Sequence, residues 1–255
     1  MEKLSLQALK TAFGKDPMPE IRVFERVDST NSEAKRMANR GERFALIAAC
    51  HQTAGRGRMG RSFYSPADTG VYFSLLFEPR ADLESAVTLT GAAAVCVMRA
   101  IRALTGKQTA IKWVNDLYLD GKKVCGILCE AVTMGDQPPK LILGIGVNLC
   151  TEEFPDDLKD KAGSVNAQVS PNDLIAAVCR ELIPYLNDPK NTAWLSDYRT
   201  HSCVIGRPIA WIEGEVTRHG LAEGINERGE LLVRDEEGKD WVLRTGEISV
   251  RVESL

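Results

Sequence analysis

The sequence has no Cys-x-x-Cys pair, no histidine near Cys125 and Cys129, and no Gly-Lys-Ser or Gly-Lys-Thr step. The first two absences remove the usual zinc frameworks. The third removes a Walker A phosphate loop. Seven cysteines, an odd number, stand singly at 50, 96, 125, 129, 150, 179 and 203, mostly inside apolar runs. They read as reduced core residues, which argues against a disulfide framework and for the cytoplasm. Neither sign of charge is in excess, since 32 basic and 35 acidic side chains leave −3. A role on nucleic acid or an anionic membrane would therefore need a local basic patch. Met1–Lys15 lacks the apolar core of a signal peptide, and no apolar stretch long enough to span a bilayer is expected.

What the chain does have is concentrated in one place. Gly55-Arg56-Gly57-Arg58-Met59-Gly60-Arg61 sets three glycines and three arginines in seven positions, just after His51-Gln52-Thr53. Such a run cannot pack a core. Glycine allows close backbone approach, and arginine offers a permanently charged fork for phosphate or carboxylate oxygens. A disordered RNA-binding tract would repeat or sit in low-complexity sequence, whereas this run occurs once, after the apolar stretch Phe44–Cys50. An anion site in a loop leaving a sheet is the better reading.

In chain order, a short helical pattern (Leu4, Leu6, Leu9, Phe13) stops at Gly14, and Ile21–Val27 reads as a strand. Thr30 and Glu33 form a capping box for a helix to about Asn39, although Ser29-Thr30-Asn31 could also bind a polar ligand. Val71–Phe77 is strand-like, and Leu83–Leu104 is a long, buried helix. Ile111–Leu119 and Lys123–Val132 flank Asp120-Gly121, a hairpin signal. Lys112, among apolar neighbours in the first arm, is either an edge-strand guard or a cation aimed into a cleft. Lys140–Val147 follows, with Gly144 and Gly146 marking close approach by a ligand or backbone. The acidic stretch 151–163 suits a mobile lid, and Ser170-Pro171 opens a helix to about Ile183. Another short helix is expected over Thr192–Arg199. Six short glycine-punctuated segments from Cys203 onward read as a small barrel. Strand-like and helical segments thus fill 1–202, and a small barrel domain follows over 203–255.

Ser29-Thr30-Asn31, the run His51–Arg61, Lys112-Trp113-Val114-Asn115-Asp116, Gly126–Glu130 and Gly144–Asn148 stand in the order and spacing of biotin protein ligases. From about residue 21 onward the chain resembles that family, with Val114 where the motif usually has proline. The resemblance implies an α/β fold class, with a mixed sheet and packed helices over 1–202 and an SH3-like barrel at the C-terminus. It also implies activation of biotin by ATP to biotinyl-5′-AMP, with Mg²⁺, and transfer of biotin to a lysine of a biotin carboxyl carrier protein. Ser29, Thr30, Asn31, Gln52, Gly55, Arg56, Gly57, Arg58, Lys112, Gly126, Gly144 and Gly146 would line the biotin site. Arg58, Arg61, Trp113, Asn115 and Asn148 would face ATP, with Asn148 near the α-phosphate and Phe154 as a candidate adenine stacker. Lys112 and Arg58 would be catalytic. The residues ahead of 21 are too few for the DNA-binding domain of bifunctional members, so neither DNA nor membrane is an expected partner, and a homodimer is possible. Two rivals stay open: a lipoate-type ligase and a non-enzymatic RNA-binding protein.

Overall fold

The computed structural model describes residues 2–79, 86–133, 135, 138–213, 215–244 and 251–252. The first helix, α1 (Leu6–Phe13), is capped by Ser5, whose Oγ accepts from the Ala8 N–H at 3.2 Å. Strand β1 (Glu20–Val27), helix α2 (Thr30–Asn39) and strand β2 (Ala45–Gln52) form a β–α–β unit, with β1 and β2 paired in parallel. Strand β3 (Gly70–Phe77) pairs antiparallel with β2. Helix α3 (Ala86–Thr105) leads to β4 (Ala110–Lys112), β5 (Asp116–Leu119), β6 (Lys122–Val132) and β7 (Lys140–Asn148). These strands make one seven-stranded sheet in the order β1-β2-β3-β7-β6-β5-β4.

Both faces of the sheet are covered, which explains the unbroken apolar runs in its central strands. Alternation sorts β2: Leu46, Ala48 and Cys50 join the main core, while Ala45 and Ile47 meet Ala34, Met37 and Ala38 of α2. The main core holds α1, α3 and α4 (Pro171–Asn187). Ser170 caps α4 as expected, and the helix runs past the expected end, through Pro184. The stretch Thr88–Thr105 of α3 is long and apolar enough to cross a bilayer, contrary to expectation, but 67% of it is buried in the protein. It is a core helix. The expected helix start at Leu83 lies outside the described residues. Helix α2 is held at its C-terminal end by Lys140, 3% exposed, whose Nζ donates to the carbonyls of Glu42 at 2.7 Å and Ala38 at 3.3 Å.

Two local readings change. The arm Ile111–Leu119 is not one strand: the chain reverses through Trp113–Asn115, so that Lys112 of β4 pairs with Asp116 of β5. A continuous apolar pattern hid that turn. The Asp120-Gly121 hairpin does form, with φ of 51° and 74°. In the C-terminal region, after α5 (Leu195–Thr200), five antiparallel strands replace six segments: β8 (Pro208–Glu213), β9 (Val216–Ile225), β10 (Leu231–Asp235), β11 (Asp240–Leu243) and β12 (Arg251–Val252). The segments read at Glu213–Arg218 and Gly220–Asn226 merge largely into β9, and part of the last segment lies outside the described residues. The two regions are stitched at β4, where the Ile111 N–H donates to His201 O at 2.8 Å and the Cys203 N–H to Ile111 O at 2.9 Å.

Candidate active site

The loops that leave β1, β2 and β4 meet at one end of the sheet. Ser29 occupies the N-cap position of α2, but its side chain makes no capping bond, and Thr30 is the first helical residue. The capping box is therefore corrected. The Thr30 hydroxyl turns to the sheet instead, where Gln52 Oε1 lies 2.8 Å from the Thr30 N–H and 3.1 Å from its Oγ1. Gln52 Nε2 donates to Ser65 Oγ at 2.8 Å. Ser74 Oγ is 2.7 Å from Thr30 Oγ1 and 2.6 Å from Asn31 Oδ1, and its one proton serves one of them at a time. Ser29, Thr30, Asn31 and Ser74 are all at least 96% buried. Six amide and hydroxyl side chains thus form a polar floor at one end of an apolar sheet.

Glycines let neighbouring groups pack closely against this floor. A Cβ on Gly146 would sit 2.5 Å from the Phe63 ring, and one on Gly144 would run into the Asn31 amide. Gly55 lies under the Phe63 carbonyl, Ser65 Oγ and Gln52 Nε2. Gly126 is looser, since its nearest neighbours, at 3.2 Å, are the end of the Lys123 side chain and the Phe63 ring. Gly144→Ala is therefore expected to displace Asn31, destabilise the protein by about 1–3 kcal/mol and weaken ligand binding. Gly126→Ala should do much less. Thermal melts of the two variants check the contrast, and equal midpoints would remove the steric argument.

The cations come from three segments. Lys112 is half-buried on edge strand β4, with Nζ 5.2 Å from the Tyr118 ring centre. Lys112 is thus on an edge strand, with its side chain lying over the Tyr118 ring. Burial pushes its pKa down, against an upward pull from Asp116. Arg58, also half-buried, feels the same opposition of burial and Asp116, and donates from Nη1 to Asn115 Oδ1 at 3.2 Å. Asn115 is fixed in turn, with Nδ2 donating to Ile127 O at 2.7 Å. Lys123, which the sequence did not single out, forms an ion pair with Asp116 at 2.7 Å. One carboxylate therefore faces three cations. Arg61 and Arg56 are exposed, and Gly57 and Arg61 close a tight turn, in which the Gly57 N–H donates to Arg61 O at 2.7 Å.

Trp113 is placed differently from the expectation. It is 5% exposed, and its Nε1 donates to Gly229 O in the β9–β10 turn at 2.9 Å, so its indole contacts the C-terminal domain. The Trp113–Val114 peptide is cis, and Val114 O accepts from the Tyr198 hydroxyl at 3.1 Å. Asn148 ends β7, with Nδ2 donating to Gly163 O at 3.0 Å and Oδ1 buried without a partner. The acidic stretch 151–163 is anchored where it meets β6: the Lys123 N–H donates to Lys161 O at 2.9 Å and the Gly163 N–H to Lys123 O at 2.8 Å. Between it and the β5–β6 turn lies a cleft of about 750 Å³ that includes Lys122, Thr151, Phe154, Gly163 and Ser164. Phe154 leans on Tyr64 with ring centres 6.0 Å apart.

Comparison with known proteins agrees with this arrangement. The profile of the Biotin/lipoate A/B protein ligase family matches residues 23–148, and that of the Biotin protein ligase C terminal domain matches 204–251. The biotin--[acetyl-CoA-carboxylase] ligase of Paracoccus denitrificans is 34% identical over 236 residues, covering 86% of this chain and 96% of that protein. The bifunctional ligase/repressor BirA of Bacillus subtilis is 32% identical, covering 92% and 76%. Among solved structures, biotin protein ligase from Aquifex aeolicus in complex with biotin and ATP superposes with a TM-score of 0.79, at 28% identity and coverage of 92% and 99%. The Leishmania major enzyme in complex with biotinyl-5-AMP gives 0.60, at 25% identity and coverage of 90% and 100%. With this identity and coverage on top of the two profiles, the chain belongs to the biotin protein ligase family.

Proposed function

We infer that the protein is an ATP-dependent biotin protein ligase, which joins biotin to a lysine of a biotin carboxyl carrier protein. The observation that carries the reading is the meeting of Lys112, Arg58 and Lys123 around Asp116, beside closely packed glycines and an amide and hydroxyl floor. In the first step the carboxylate of biotin attacks the α-phosphorus of ATP. A P–O bond forms, the bond to the β-phosphate oxygen breaks, and pyrophosphate leaves. All the partners are anionic, so fixed cations must oppose their repulsion. Lys112 is suited to bridge carboxylate and phosphate, and Lys123 to leave Asp116 for a phosphate oxygen. In the second step the carrier amine attacks the acyl carbon, AMP departs, and the amine gives up a proton. No enzyme nucleophile is needed.

The polar floor favours biotin over lipoate. A ureido ring offers two N–H donors and a carbonyl to Ser29, whose side chain makes no capping bond, and to the remaining lone pairs of Gln52 and Thr30, whereas an apolar dithiolane could make no hydrogen bond to them. Asn148 is reassigned on the same logic. One of its two amide protons is held by Gly163 O, and its buried, unpartnered Oδ1 suits a donor such as the adenine amino group. Among the described residues no cluster of three metal-ligating side chains occurs. Mg²⁺ would arrive on the phosphates of ATP, where Asp116 could help to hold it.

Biotin-dependent exchange of radiolabelled pyrophosphate into ATP tests the reading. Exchange with lipoate instead of biotin would replace it, and none with either acid would favour the RNA-binding rival. The proposal extends to a cytoplasmic homodimer. Sedimentation as a monomer, with and without biotinyl-AMP, would remove the dimer from it.

A further inference from the structure

Glu130 lies outside the substrate-facing set, yet it touches two parts of the pocket at once. Its Oε1 is 2.8 Å from Arg56 Nη2, in the arginine–glycine loop. Its Oε2 accepts from Asn31 Nδ2, in the first turn of α2, also at 2.8 Å. The Asn31 amide is thereby committed at both ends, to Glu130 and to Ser74, and it lies flat on Gly144. Asn31 therefore serves the pocket floor as a brace. The Arg56 side chain reaches down to β6, which leaves only its backbone to meet a ligand. One carboxylate joins a loop, a helix and a strand that are far apart in sequence.

The exposure of the pair says what it can do. The Arg56 and Glu130 side chains are 47% and 29% exposed, so the bond is water-accessible and adds little to global stability. A contact of that kind can open and close without unfolding its surroundings. The loop it holds has almost no apolar anchor of its own, with Met59 61% exposed. Pre-ordering such a loop lowers the entropy lost when substrate binds.

We propose that Glu130 is a positioning residue that latches the arginine–glycine loop to the floor of the biotin pocket and braces that floor through Asn31. The proposal rests on the ligase reading above. Its consequence is selective: breaking the latch weakens biotin binding and speeds loss of the adenylate, while Lys112, Lys123 and Asp116 keep their places.

The test is a double-mutant cycle on the full chain. Glu130→Gln keeps an acceptor for Asn31 but removes the charge that holds Arg56, and Arg56→Gln removes the other half while keeping the backbone. Each single change is expected to raise the KM for biotin about five- to tenfold, and the double change no further than the worse single, because one interaction is lost in all three. KM for ATP and kcat for pyrophosphate exchange should stay within about twofold, and the thermal midpoint should hold, because the pair is exposed. Unchanged biotin KM in Glu130→Gln overturns the latch. So does a rise that multiplies in the double variant, or a joint fall of kcat and thermal midpoint. A wild type without biotin-dependent exchange would refute the ligase reading itself, whereas an active wild type with unaltered variants refutes the latch alone.

Discussion

Lys112→Ala is expected to lose about 10²–10³-fold in biotin-dependent pyrophosphate exchange while keeping its fold. The lysine sits on the short edge strand β4, where truncation removes little packing, but its ammonium is half-buried and faces Asp116. A charge in that position is costly to hold in the free protein, as the burial-lowered pKa indicates, and is matched best when anionic oxygens arrive. The pH dependence follows with a definite sign. The cation is present below its folded pKa and lost as pH rises through it, and that pKa lies below that of an ordinary lysine. The alkaline limb of kcat/KM, which reports the free enzyme, should therefore fall earlier than for an unperturbed lysine. In Lys112→Arg that limb should move up, since the guanidinium keeps its proton, even if the rate is lower. Near-normal exchange in a folded Lys112→Ala protein would reduce the residue to an edge guard.

Arg58→Gly is expected to form biotinyl-AMP but to release it about tenfold to a hundredfold faster, the equivalent of losing about 1.5–3 kcal/mol of charge-assisted contact. Arg58 lies in a short turn in which Met59 and Gly60 take φ of 55° and 73°, and its guanidinium is steadied by Asn115. The side chain is thus held from the loop above and the Lys112–Asp116 turn beside it. An acyl-phosphate that escapes acylates any accessible amine. Biotin incorporated into added albumin, at matched rates of pyrophosphate exchange, measures the escape. If the variant labels albumin no more than wild type, Arg58 acts in the chemical step alone.

The arginine–glycine loop was legible because nothing else explains three arginines and three glycines that no core can absorb. The Asp120-Gly121 hairpin and the Ser170 cap were legible for a similar reason, since each signal is local and has one satisfied geometry. Thr30 misled because its pattern with Glu33 fits a capping box, yet the half-buried Gln52 and the buried Ser74 compete for the same hydroxyl and win. Lys123 went unremarked because a lysine beside a hairpin turn is ordinary. Only the pairing of β5 with β6 brings it to Asp116. Trp113 was assigned to the nucleotide from its place in the motif, and no sequence signal announces that Gly229, 116 positions later, takes its indole proton.

That last contact has a consequence for the order in which the enzyme becomes competent. The turn carrying Lys112 is made early on the ribosome, but the carbonyl that seats the adjoining tryptophan is synthesised 116 residues later. At about 5–20 residues per second, roughly 6–23 s separate the two. A nascent chain in that interval has its arginine loop and Lys112 without the hydrogen bond that seats Trp113 in the turn between β4 and β5. The last step in seating that turn therefore waits for the β9–β10 turn to be made.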